Sequence, residues 1–255
     1  MKMKEKLLVL TKTYPIVSKK YEHLVCVAGI TDKGELRRIY PVPFEVFWNE
    51  KSFKKKNWIE YETESDEPSD HRPESRKIIT KTIKDLGPAS FKELKELIEQ
   101  KIISLEELYA KNPREVSLGI IKPNKLIDFV EEANENYKKI KEKGKQTTLI
   151  DGESAVKIWI PKNLFSYKFN CSESCPIQHK IMCEDWELIA LYRNCDKYRE
   201  QGKYKDEKVV FEKVKDKFFN VLPNKRDFYF VVGTHYRFKT YIVVGVIYPK
   251  KADKY

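Results

Sequence analysis

Hydrophobic positions along residues 1–86 recur at the short period of extended chain, as continuous apolar runs or as alternations of two. Leu7-Leu8-Val9-Leu10 predicts a first buried strand, closed by Thr13-Tyr14-Pro15. Residues 24–30 and 35–40 flank Thr31-Asp32-Lys33-Gly34, whose glycine suits the turn of a β-hairpin. Cys26 falls in the middle of that hairpin's first strand and reads as core. A further strand alternates from Trp58 to Thr63, and a polar loop over 65–76 follows it.

From Gly87-Pro88 onward the period lengthens to that of a helix. Phe91, Leu94, Leu97 and Ile98 behind Ser90, then Leu105, Leu108 and Tyr109 behind Ser104, predict two short helices with serine N-caps. Residues 117–121 read as a short strand, whereas 124–143 begin apolar and turn charged, leaving the element type open. Gly144-Lys145-Gln146-Thr147-Thr148 is the best hinge; it lacks the upstream glycine and strand of a phosphate-cradling loop. Beyond it, 156–160 and 164–169 read as strands and 205–222 as a helix with Val209, Val210, Phe211, Val214, Phe218 and Val221 on its core face. The nearly continuous apolar runs 227–232 and 240–248 predict a central, buried hairpin.

The pattern as a whole predicts an α+β fold: a β-rich, small barrel-like front module over 1–86, central helices over 87–147, and an α+β module over 148–255 in which an antiparallel hairpin packs with two helices. No internal repeat is present.

Charge changes the picture more than composition does. A net charge of +11 and a pI near 9.2 make a polyanion, DNA or RNA, the favoured partner. An aromatic content of 13% argues against disorder. The abundance of Lys and Glu also fits the surface ion pairs of a heat-adapted organism, in which case the basicity of a scaffold protein is incidental. The first apolar run is too short for a secretion signal, and no segment has the length needed to span a bilayer, so no membrane partner is expected. Five cysteines, an odd number, point to a reducing cytoplasm rather than a disulfide framework.

Basic and aromatic residues interleave from Arg37 to Trp58. Arg37, Arg38, Lys54, Lys55 and Lys56 are candidates for holding phosphates, with Tyr40 or Trp48 stacking on a base. The same aromatics equally serve to close a core. In the polar loop, Asp70, His71, Arg72, Glu74 and Arg76 concentrate charge, with Arg72 or Arg76 as an anion clamp. Arg237 and Lys239 add basic groups to the loop of the last hairpin.

The densest candidate chemistry lies between 165 and 199. Pro176 predicts the start of a helix over 176–198. On such a helix His179, Cys183 and Glu187 share a face, and Cys171 and Cys175 fold back over its first turn. Cys171, Cys175, His179 and Cys183 then make a Cys3His set suited to a closed, tetrahedral zinc site. The alternatives are plain buried thiols, or an iron–sulfur cluster on Cys171, Cys175 and Cys183. Asp185 and Glu187, beside Trp186 in an apolar pattern, need partners. They read either as ion-pair partners of Arg193, Arg199 or another basic group, or as Mg²⁺ ligands of a metal-dependent nuclease or other phosphodiester-processing enzyme. Nucleic-acid binding with a structural Cys/His metal is the preferred expectation; whether catalysis accompanies it is left open.

Overall fold

The computed structural model describes residues 3–17, 23–43, 52–111, 115–138, 159–235 and 240–251. Trp48, Arg237, Lys239 and the hinge at 144–148 lie outside them.

Two open sheets stack face to face. The first contains β1 (Lys4–Lys12), β2 (Ile16–Val17), β3 (His23–Thr31), β4 (Leu36–Pro43), β5 (Asn57–Glu62), β6 (Ser75–Arg76) and β7 (Lys84–Pro88). Its order is β6-β4-β3-β1-β5-β7, with β2 paired to β3. Helices α1 (Phe91–Glu99) and α2 (Leu105–Ala110) follow, each opened by a capping box, Ser90 with Glu93 and Ser104 with Glu107. The second sheet holds β8 (Leu118–Ile121), β9 (Lys125–Ala133), β10 (Asn163–Asn170), β11 (His179–Cys183), β12 (Tyr229–Thr234) and β13 (Tyr241–Ile247) in the order β8-β12-β13-β11-β10-β9. Between β11 and β12 run α3 (Trp186–Glu200) and α4 (Glu207–Lys215), then π-helical turns over 216–221 and a last turn, α5 (Leu222–Lys225).

The α+β class is therefore as the apolar pattern predicts, with one correction: the front sheet is not a closed barrel. The reason is visible in β1. Leu7 and Val9 face a core with Val25, Val27, Ile39 and Ile59, while Leu8 and Leu10 face the other way. There they meet Leu118, Ile120, Tyr229, Val231, Ile242 and Val244 of the second sheet. A face covered by a neighbouring sheet has no need to be sealed by curling. β12 has the same two-sided character, with Tyr229 and Val231 turned to the front sheet and Phe230 and Val232 to a third core under α3 and α4.

The helix expected over 176–198 is broken. Residues 179–183 form β11, antiparallel to β10 with His179 opposite Phe169 and Cys183 opposite Phe165. The helix starts only at Trp186, because Asp185 is its N-cap and accepts the backbone N–H of Glu187 at 2.8 Å and of Leu188 at 3.1 Å. The alternation His179, Ile181, Cys183, all buried, fits the period of a strand once the second sheet offers an unpaired edge.

The sheets are joined at one seam. The Thr11 hydroxyl donates to the Val244 carbonyl at 2.7 Å, Tyr14 N–H donates to the Glu184 carbonyl at 2.9 Å, and Thr13 bridges to Asp185.

Candidate functional site

Two clusters of chemistry-bearing side chains result from this architecture. The first sits on the seam. Just before β5, the chain turns through Lys54, Lys55 and Lys56, and Lys56 is held at φ 70°, the one non-glycine among the described residues in the left-handed region. Its N–H donates to the Val9 carbonyl at 2.7 Å, and its carbonyl accepts the Ala89 N–H at 2.8 Å. A lysine kept in this conformation costs on the order of 1–3 kcal/mol, and such strain clusters at functional positions.

The turn sends Lys55 inward. Its side chain is 7% exposed, and its Nζ donates to Asp185 Oδ2 at 2.6 Å, to Glu187 Oε2 at 3.0 Å and to the Val246 carbonyl at 3.2 Å. Burial works to lower the Lys55 pKa, but the two carboxylates outweigh it and the net shift is upward. Tyr248 donates its hydroxyl to Glu187 Oε2 at 2.6 Å.

Lys12, at the end of β1, donates to the Phe53 carbonyl at 3.0 Å and has its Nζ 5.3 Å from the centre of the Trp186 ring. Its pKa is lowered to about 8, first by burial and then by the charge of Lys55, against the pull of Glu187 and Asp185. Burial likewise lowers Lys56. Lys12, Lys54, Lys55, Lys56, Trp186 and Glu187 together line a cavity of about 340 Å³. It is a cationic pocket with one aromatic wall.

The second cluster lies at the far end of the second sheet. Glu106 is in the first turn of α2, Cys171 and Cys175 are in the β10–β11 loop, and His179 begins β11. The four donor atoms all lie within 4.8 Å of one another. Cys171 Sγ is 3.7 Å from Cys175 Sγ, Cys175 Sγ 3.3 Å from His179 Nε2, and His179 Nε2 2.8 Å from Glu106 Oε1. Two thiolates on a tetrahedral ion at ~2.3 Å are about 3.8 Å apart, so the sulfur spacing fits such an ion without rearrangement. Burial raises the Cys171 pKa to about 12, aided by its hydrogen bond to Glu106, so without an ion the thiol stays protonated. Two thiols, an imidazole and a carboxylate form a set that can hold a metal ion.

The sequence-derived ligand set is corrected at one member. Cys171, Cys175 and His179 converge as expected, but Cys183 does not join them. Four residues along a strand span about 13 Å, against about 6 Å along a helix. Cys183 instead packs in the core with Phe165 and Leu188. Glu106 takes its place, 65 residues before Cys171 in the chain. No local spacing signals it; only the N-cap at Ser104, which places Glu106 and Glu107 in the first turn of α2, marks that helix start as a place where carboxylates gather.

The other candidates divide. Asp185 and Glu187 do lie together and pair with another basic side chain across the core, Lys55. Both oxygens of Asp185 are engaged, and the residue has no exposed surface. Binding Mg²⁺ there requires displacing a buried ammonium. Arg37 is held by Glu5 and Glu35 at 2.8 and 2.6 Å. Arg38 is 1% exposed and donates to the Ser117 hydroxyl and carbonyl, both at 3.3 Å. Arg72 pairs with Asp70 at 2.6 Å and donates to the Thr234 carbonyl, so it pins the polar loop to β12. Glu74 accepts the Ser117 N–H and hydroxyl and the Leu118 N–H, pinning the same loop to β8. Arg76 donates to the carbonyls of Pro73 and Ser75, and Tyr40 is half-buried. The guanidinium groups of Arg38 and Arg72 serve the seam between the sheets, whereas those of Arg37 and Arg76 bond within the front module. Trp186 and Glu187 bring the 165–199 stretch to the pocket, and Lys12 is the lining residue that neither stretch indicates.

Fold and site define an α+β protein of two stacked sheets with a cationic pocket on their seam and a metal-type donor cluster beside the second sheet. Residues 99–255 match the family model described as Domain of unknown function (DUF8757), and the chain belongs to that family. Residues 3–102 match a second model, Domain of unknown function (DUF8758). No curated protein matches the chain. Among the described residues no helix is long and apolar enough to cross a membrane.

Proposed function

We propose that this chain is a nucleic-acid-binding protein that makes its phosphate contacts in the seam pocket, and that the Glu106, Cys171, Cys175 and His179 cluster holds a structural zinc ion. One observation carries the reading: Lys12, Lys54, Lys55 and Lys56, from two separate segments of the front sheet, converge on one cavity with Trp186 of α3 as its wall. Ammonium groups attract backbone phosphates, and an indole face takes a base. An unpaired strand suits it best, because a base within a duplex is already stacked. The overall charge of +11 adds long-range attraction to the same partner.

Zinc is the metal favoured by two thiolates, an imidazole and a carboxylate. With four protein ligands its role is to pin α2 to the β10–β11 loop rather than to act on substrate. A reducing cytoplasm, the compartment expected for free thiols, keeps them available as ligands.

The test is the salt dependence of oligonucleotide binding by the full chain. Lys55 already donates to Asp185, Glu187 and Val246, so three lysine contacts, from Lys12, Lys54 and Lys56, give a slope of about −2 in log K against log salt on a single strand, at about −0.7 per contact. Lys54→Gln and Lys56→Gln each flatten it by about 0.7. Absent binding, or binding indifferent to salt, overturns the reading.

A further inference from the structure

We propose that the donor cluster is a thiol switch: hydrogen peroxide joins Cys171 and Cys175 in a disulfide, zinc leaves, and α2 is released from the β10–β11 loop. This rests on the zinc reading of the cluster and names how that site is regulated.

The first support is proximity. Cys171 Sγ and Cys175 Sγ lie 3.7 Å apart, the one sulfur–sulfur contact among the described residues. A disulfide bond of ~2.05 Å asks for roughly 1.7 Å of further approach. The loop 171–178 lies outside the strand pairings of the second sheet, so its backbone can supply that movement without breaking a ladder.

The second is access. Cys175 is half-buried between exposed neighbours, Glu173 and Ser174 before it and Pro176 and Ile177 after it, whereas Cys171 is 6% exposed. An oxidant therefore meets Cys175 first and finds Cys171 behind it, which is the order of an attacked thiol and its resolving partner. Cys183 and Cys195 are packed among the apolar side chains of the core under α3 and α4, and Cys26 lies within β3 of the other sheet.

The third is what the two sulfurs hold. Leu105 N–H, at the start of α2, donates to Cys171 Sγ at 3.4 Å. The Glu106 carboxylate, one residue on, meets Cys171 Sγ at 2.6 Å, Cys175 Sγ at 3.3 Å and His179 Nε2 at 2.8 Å. Tying the sulfurs to each other removes two of the four metal ligands and two of the three side chains that hold Glu106.

As metal ligands both sulfurs are thiolates, the nucleophilic form. Cys175 Sγ attacks one oxygen of hydrogen peroxide: an S–O bond forms, the O–O bond breaks, and the departing hydroxide takes a proton from solvent to become water. Cys171 Sγ then attacks the Cys175 sulfur: the S–S bond forms, the S–O bond breaks, and a second hydroxide leaves as water with another solvent proton. The two thiolates lose two electrons, peroxide gains them, and Zn²⁺ departs with its charge unchanged. A dithiol reductant returns the two electrons and regenerates the ligands.

The deciding experiment treats the reduced, zinc-bound full chain with stoichiometric hydrogen peroxide. A chromogenic chelator reads released zinc against a peroxide-free control, mass spectrometry maps the cysteines, and hydrogen exchange follows α2. One zinc ion is expected to be released for each disulfide formed, with the disulfide joining Cys171 and Cys175 while Cys26, Cys183 and Cys195 remain thiols. The amides of Leu105, Leu108 and Lys111 are expected to exchange at least about tenfold faster in the disulfide form, since local opening becomes easier once the tether is gone. Dithiothreitol with added zinc should restore both the zinc content and the protection. Zinc retained after peroxide, oxidation of Cys175 to a sulfinic acid, a disulfide to another cysteine or unchanged protection of α2 in the disulfide form overturns this inference and leaves the zinc reading standing. A chain that carries no zinc before peroxide is added overturns both.

Discussion

Lys55 Nζ lies 2.6 Å from Asp185 Oδ2, across 130 residues of sequence and across the seam between the two sheets. That carboxylate also accepts the Val246 N–H at 2.9 Å and caps α3 through its other oxygen. One side chain thus sets the start of α3, the approach of β13 and the position of a pocket lysine. Removing one partner of such a pair strands a buried charge, at about 3–5 kcal/mol, whereas replacing both with apolar groups costs far less. Lys55→Met is accordingly expected to lower the unfolding free energy by about 3 kcal/mol or more. In a double-mutant cycle with Asp185→Leu the losses should be strongly non-additive. The Asp185→Leu variant alone is expected to be the worse single change, since the helix cap goes with the ion pair. Additive denaturation midpoints would show that the pair contributes nothing as a pair.

A second contact on the seam predicts sensitivity to a single methyl group. A Cβ placed on Gly245 falls 1.6 Å from Thr11 Oγ1 and 2.3 Å from Thr11 Cβ, both on the facing strand. Neither atom can retreat without breaking the Thr11 hydroxyl bond to Val244 or moving β1. Gly245→Ala is expected to destabilise by about 2–3 kcal/mol or more, as overpacking does in well-filled cores. Thr11→Gly should relieve much of that loss when combined with it. Equal melting temperatures for wild type and Gly245→Ala would mean that the strands are not so close.

How much of this was legible in the sequence depends on how local each signal is. The capping boxes at Ser90 and Ser104, the Gly34 turn and the last hairpin are short-range and appear where the pattern places them. The Leu7–Leu10 run signals burial, but a run cannot say whether its second face meets a curled sheet or a second one. His179 to Glu187 fits a helical face and a strand followed by a cap equally well, and only the unpaired edge of β13, parallel to β11 at Cys183 and Val243, decides between them. Glu106 and Lys12 escape because their partners lie far along the chain. The guanidinium groups of Arg37, Arg38 and Arg72 mislead for a related reason: charge in a basic stretch suggests a surface until the groups that hold it are known, acids for Arg37 and Arg72 and the Ser117 hydroxyl and carbonyl for Arg38.

Glu184, half-buried beside that seam, carries a pH signature. Burial raises its pKa to about 7 from an ordinary value near 4.5. A carboxyl group raised in the folded state binds its proton more tightly there than when unfolded. Its contribution to stability is therefore fully present below about pH 4.5 and is lost as the pH rises through 7. Glu184→Gln removes the penalty of ionisation. It is expected to leave stability nearly unchanged at pH 5 and to raise it at pH 8 by on the order of 1–2 kcal/mol, less than the full shift allows because the side chain keeps some contact with water. Denaturation at the two pH values checks this, and a gain of equal size at both would remove ionisation as its cause.

The metal cluster gives a prediction with two readouts that fail separately. Protein prepared reduced and without chelator is expected to contain one zinc ion per chain by elemental analysis, and stripping it should lower the melting temperature by more than about 5 °C, since binding to the folded state alone stabilises it. Cys175→Ala removes a half-buried ligand with little packing of its own and should abolish both the zinc and the chelator effect. Glu106→Gln should weaken zinc binding while leaving α2 capped by Ser104 and Glu107. Cys183→Ala opens a cavity in the core beside Phe165 and is expected to lower stability, yet it should retain full zinc content. That last contrast separates the observed Glu106, Cys171, Cys175 and His179 set from one that includes Cys183. Loss of zinc in Cys183→Ala, with zinc kept in Glu106→Gln, would reverse the assignment of the fourth ligand.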